Sequence, residues 1–131
     1  MSITPEDFLL AAKDTAGRKD EMGIRLTVSR AYYAAYHWAL TVSYHCPTPP
    51  PKNEGVHKAL VRRFSSVPTK GFQGSRIARD IGGWLDKGRT LRTIVDYELN
   101  AIIDKTAGTK AITYAERIRD LVAEFAALYT P

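Results

Sequence analysis

Apolar positions along this chain recur at helical rather than strand spacing. In residues 23–44, GIRLTVSRAYYAAYHWALTVSY, the positions Leu26, Ala31, Ala35, Trp38 and Val42 repeat at helical intervals, and Ala31, Ala34, Ala35 and Ala39 are strong helix formers. About 20 residues of helix rise about 30 Å, enough to cross a small domain, so this run is expected to be the central helix of a bundle. Before it, Thr4-Pro5-Glu6-Asp7 combines a capping hydroxyl, a proline suited to the first helical position and acids suited to the positive end of the helix dipole. A first helix over residues 5–19 follows, with Phe8, Leu9 and Ala12 inward and a hinge at 20–23 that turns it back antiparallel. Prolines 47, 49, 50 and 51 make residues 46–53 a stiff extended connector. Val56, Ala59, Leu60 and Phe64 form the stripe of a third helix. Residues 65–75 read as a second loop with Lys70 and Phe72 exposed. A fourth helix is expected from Ser75 or Arg76 to Ile102, its stripe running through Ile77, Ile81, Leu85, Leu91, Ile94, Val95 and Leu99 and bent or broken at Gly82-Gly83 or Gly88. Gly108 closes that segment, and residues 110–129 form a last helix with Ile112, Ala115, Ile118, Leu121, Val122, Phe125 and Leu128 on its apolar face. No segment alternates with period two. The expectation is an all-α antiparallel bundle of four to five helices in a single domain over residues 1–131.

Composition narrows the function classes. A chain of 131 residues supports a core without metal or disulfide staples, and its single cysteine, Cys46, excludes an intrachain disulfide and a cysteine-based zinc site. The start lacks the basic flank and apolar core of a signal peptide, and Arg30 and His37 interrupt the best membrane-span candidate, so a cytoplasmic, non-membrane protein is expected. Charge is unevenly placed. Residues 51–100 hold ten basic and five acidic side chains, whereas residues 1–50 hold five of each and residues 101–131 four of each. The formal +5 therefore resides in the middle of the chain, where RNA or another anion is one partner class and an uneven solvated face the other.

Two constellations carry chemistry. Arg30 and His37 lie seven residues apart on the central helix, nearly two turns, with Tyr33 between them on the same side. Histidine exchanges a proton near neutral pH and arginine holds a scissile phosphate, so the pair suits RNA strand scission in which the vicinal ribose hydroxyl is the nucleophile and no metal or cofactor is required. Structural pairing of Arg30 with an acid and packing of His37 are the alternative. Arg92, Asp96 and Tyr97 form the second group: Arg92 and Asp96 stand one turn apart, while Arg92 and Tyr97 share a site only if one side chain swings toward the other. A phenol with a reference pKa near 10 is a poorer proton shuttle than histidine. His57 is a candidate neighbour of a phosphate site, and Lys58, Arg62 and Arg63 extend from helix three as candidate anion-binding groups. His45-Cys46 lacks further ligands at suitable spacing, so no metal site is expected.

The run SRAYYAAYH, residues 29–37, closely resembles the signature helix of HEPN domains, small helical domains of prokaryotic defence and toxin–antitoxin systems. VHKALV at 56–61 resembles that family's histidine-lysine helix start, and RTIVDYE at 92–98 resembles its Arg-x-x-Ala-Asp-Tyr segment. The resemblance spans roughly residues 9–99. It implies an antiparallel bundle that commonly forms a homodimer, with the signature helices near a shared groove. Many such proteins are metal-independent endoribonucleases; others are non-catalytic partners of nucleotidyltransferases, antitoxins or further defence proteins. Their ribonuclease motif is an arginine, four to six residues, then a histidine. Arg30 and His37 meet that spacing, and Arg92 has Tyr97 where the histidine would stand. The resemblance thus implies a site of Arg30, His37, Arg92 and Tyr97, supported by Tyr33, His57 and Asp96, or else a binding module without turnover.

Overall fold

The computed structural model describes residues 2–47, 53–65 and 70–130. Among the described residues five α-helices pack together: α1 (Pro5–Ala16), α2 (Glu21–Val42), α3 (Val56–Ser65), α4 (Gly71–Tyr97) and α5 (Ala107–Ala127), with a 3₁₀ turn at Ser43–His45. No strand occurs among the described residues. The central helix is the one expected. α2 packs against α1, α4 and α5, and α3 packs against α4. Its alanines Ala31, Ala34, Ala35 and Ala39 are all sealed from solvent, so three helices approach it closely. None of the helices is long and apolar enough to cross a membrane.

Thr4 caps α1 as its sequence implies: its side chain accepts from the Asp7 amide while the Asp7 carboxylate accepts from the Thr4 amide at 2.8 Å. α1 stops at Ala16 rather than near Lys19, because Gly17 ends it and Arg18 folds onto Asp20 through a 2.7 Å bond. The expected hinge at 20–23 is shorter, since α2 already begins at Glu21. Gly23 is a contact point inside that helix: a Cβ there would lie 2.5 Å from the Arg18 Cβ, so the connector closes over it only because it is glycine. Most of the proline connector, residues 48–52, and residues 66–69 of the expected second loop lie outside the described residues.

The fourth helix corrects three expectations. It begins at Gly71, where Lys70 and Gly71 have φ of 46° and 72°, and it runs unbroken for 27 residues to Tyr97. Its glycines are not breaks. A Cβ on Gly82 would meet Ser65 Oγ at 2.9 Å and the Val61 carbonyl at 3.3 Å, and one on Gly88 would meet the Tyr32 ring at 3.3 Å. Missing side chains here admit α3 and α2. At the other end, Leu99 and Ile102 leave the stripe: they are exposed, Ile102 fully, because the chain has already turned out of the helix. Val56 is likewise exposed, although Ala59, Leu60 and Phe64 are buried as expected. α5 starts at Ala107, with Gly108 inside its first turn against Thr27.

What holds the α4–α5 connector is Arg25, a residue the apolar pattern does not flag. Its guanidinium is buried and donates to the carbonyls of Val95 (2.8 Å), Glu98 (3.2 Å), Leu99 (3.3 Å) and Ala101 (3.3 Å), while Nε faces Glu21 at 3.4 Å. One cation from α2 thus gathers a carbonyl of the last turn of α4, Val95, with those of Glu98, Leu99 and Ala101 in the connector beyond it.

Two measurements test this packing. Gly83→Ala should raise the urea midpoint, by about 0.5–1 kcal/mol in stability, since nothing lies within 4 Å of the added methyl; Gly82→Ala should lower it by about 1–3 kcal/mol. Arg25→Met keeps the aliphatic stem but strands the buried Val95 carbonyl and releases those of Glu98, Leu99 and Ala101, and a loss of about 2–4 kcal/mol is expected in the same titration.

Candidate functional site

Three helices converge on the ring of Tyr32, which is only 1% exposed. Its hydroxyl meets Nδ1 of His57, from the first turn of α3, at 2.8 Å. Its π-face receives the guanidinium of Arg92, from α4, at 5.3 Å from the ring centroid. Tyr33 and Tyr97 stand 6.0 and 5.7 Å from the same guanidinium, and Tyr36 packs 4.6 Å from the His57 ring. His37 stacks on Phe8 of α1 at 5.3 Å and lines a surface cavity with Ile3, Pro5 and Leu40.

Arg92 is the anomaly. The residue is 7% exposed, yet it makes no hydrogen bond among the described residues: its Nε is buried without a partner, and the Asp96 carboxylate lies 3.8 Å from the nearest guanidinium nitrogen. Asp96 also accepts from Ser29 of α2 at 3.3 Å. A buried guanidinium normally has its donors paired, because desolvating a charge without compensation costs several kcal/mol.

Electrostatics tie the groups together. His57 sits below its ordinary range, first because burial disfavours the imidazolium and then because Arg92, Arg89 and His37 repel it. All three lie close enough to act on one ring, so the basic residues of α4 and the histidine of α2 share a neighbourhood with α3. Arg89, one turn before Arg92, is held by Asp86 at 3.0 Å. Burial raises the Tyr32 phenol well above its ordinary range, so it stays protonated.

The sequence-derived candidates separate accordingly. Arg92, Tyr97, Asp96, Tyr33 and His57 are brought together, and His37 lies at their edge. Arg30 is half-buried and makes no hydrogen bond or ion pair among the described residues. On α3 the basic side chains are otherwise engaged: Arg62 pairs with Glu54, Arg63 lies 3.5 Å from the Cys46 carbonyl, and Lys58 points to solvent. Sequence reasoning missed Tyr32, Tyr36 and Arg89. The available signals were the Tyr-Tyr-x-x-Tyr spacing of α2 and the i, i+3 relation of Arg89 to Arg92. His45 stacks on Tyr129 at 3.8 Å, and burial pushes the Cys46 thiol up, so both serve packing. Among the described residues no three His, Cys, Asp or Glu side chains gather as a metal-binding set.

Because His57 is lowered, the folded protein holds fewer protons there than the unfolded chain does. Its contribution to stability is therefore complete above the unfolded value of about 6.5 and is lost as pH falls below it. Urea midpoints measured from pH 7 to pH 5 should drop in the wild type, and the drop should shrink in His57→Gln. An equal drop in both would show that His57 does not carry it.

Compared with protein-family models, curated proteins and solved structures, the chain matches none.

Proposed function

We propose that this chain is a HEPN-like protein of a prokaryotic toxin–antitoxin or defence system that binds RNA at the Arg92 cluster and cleaves it without metal. One observation carries the reading: a buried guanidinium with an orphan Nε and only a 3.8 Å ion pair, held by aromatic rings beside two histidines. A phosphodiester supplies the oxygens that such a donor lacks, and arginine's planar fork suits them. The ribose 2′-hydroxyl then gives its proton to His37 and attacks the adjacent phosphorus, the bond from phosphorus to the 5′-oxygen breaks, the departing 5′-oxygen takes a proton from water, and Arg92 and Arg89 balance the developing charge. Aromatic faces at Tyr33, Tyr36 and Tyr97 suit stacking of unpaired bases, so the substrate is single-stranded RNA. A homodimer, expected from the resemblance, would place two such clusters along one groove.

A second reading rests on Tyr97. It stands where the ribonuclease motif has histidine, it is 71% exposed, and Leu99 and Ile102 are exposed just beyond it. That edge suits a non-catalytic module docking an antitoxin, a nucleotidyltransferase or another defence protein.

The experiment is incubation of homogeneous protein with single-stranded RNA in excess EDTA at pH 7. Cleavage leaving 2′,3′-cyclic phosphate ends is expected, and it should fall at least about a hundredfold in Arg92→Gln and in His37→Ala with the far-UV spectrum unchanged. RNA left intact by the wild type would overturn the nuclease reading and leave the docking module. Unchanged cleavage in His37→Ala would remove His37 from the chemistry.

A further inference from the structure

The Tyr32 hydroxyl is sealed in the bundle, and among the described residues its one hydrogen-bond partner is Nδ1 of His57, at 2.8 Å. A phenol so buried keeps its proton, and a buried O–H must be donated to an acceptor. Nδ1 is that acceptor. A neutral imidazole whose Nδ1 accepts carries its hydrogen on Nε2, on the far edge of the ring. No described residue accepts from Nε2. The charged groups around the ring work the same way: Arg89 and Arg92 from α4 and His37 from α2 all oppose a second proton, and the remaining neighbours, Tyr33 and Tyr36, are neutral phenols.

We infer that Tyr32 locks His57 as a neutral Nε2–H donor, which binds a non-bridging oxygen of the RNA phosphodiester beside Arg92 instead of exchanging protons. This rests on the phosphodiester reading given above and adds a positioning role for Tyr32 and a binding role for His57. The division of labour is chemical. Proton exchange falls to His37, which has no such lock, and His57 serves as a fixed dipole beside the guanidinium. A preset donor needs no reorganisation when charge develops on the phosphate.

Two measurements on the full chain test it. Long-range ¹H–¹⁵N spectra should show His57 with a pyrrole-type Nε2 and a pyridine-type Nδ1 at pH 7.5, and a tautomer mixture in Tyr32→Phe. An Nδ1–H tautomer or an imidazolium in the wild type would overturn the inference. In the second measurement the probe is a fluorescein-labelled single-stranded oligoribonucleotide at fixed salt. His57→Ala should lose about tenfold in affinity, and His57→Gln, which restores an N–H donor that cannot exchange protons, should recover part of that loss. Equal losses in the two variants would refute the donor role. Arg92→Gln separates the two levels: if it leaves RNA affinity unchanged, the phosphodiester site itself is wrong, whatever the tautomer spectra show.

Discussion

Tyr32 is where the fold and the site become one problem. Its ring fills the space left by the missing side chain of Gly88, so α2 and α4 touch there, and its hydroxyl reaches across to the first turn of α3. The same ring is the floor on which the Arg92 guanidinium rests. Phenylalanine would keep the packing and the cation–π face but lose the hold on His57. A smaller residue would open a cavity between helices and let Arg92 sink or swing away. The aromatic cluster therefore sets the positions of His57 and Arg92, and the alanines beside it on α2 allow the neighbouring helices to come near enough for that to matter.

Burial alone does not distinguish the two buried arginines, Arg25 at 6% and Arg92 at 7% exposure. What separates them is how their donors are used. Arg25 gives hydrogen bonds to four backbone carbonyls and faces Glu21, so its charge is compensated by the end of α4 and its desolvation is offset within the chain. Arg92 has a distant carboxylate, three aromatic rings and an unpaired Nε. A leucine or methionine would fill that space with less penalty if packing were the whole purpose. Among the described residues Arg63 also has a buried Nε without a partner, but of the two buried arginines only Arg92 leaves its donors unused.

Helix type was legible in the sequence because it is a property of spacing. The stripes of α1, α2 and α5 needed only their apolar periods, and the Thr4 cap needed only local chemistry. Boundaries failed where a distant contact decides them. Gly82 and Gly88 carry the local signature of helix weakness, yet both sit where a crossing helix needs their hydrogen atom, and nothing near them in the chain announces that crossing. Leu99 and Ile102 kept the apolar period past the point where Arg25, seventy or more residues earlier, gathers the carbonyls and turns the chain.

The candidate site was legible in its residue types and hidden in its partnerships. Periodicity places Arg30 and His37 on one side of α2 and Arg92 near Tyr97 on α4, but it is silent on which histidine faces which arginine. In the folded chain, His57 from α3 occupies the position against Tyr32, and His37 stands at the rim with Phe8. Two imidazoles in one neighbourhood repel each other once both are charged. Burial and then the charges of Arg92, Arg89 and His37 press His57 toward the neutral form. His37 has solvent on one side and Phe8 on the other. That asymmetry arises from which face of α2 each helix covers: α3 brings His57 in against Tyr32, and α1 leaves His37 at the rim beside Phe8.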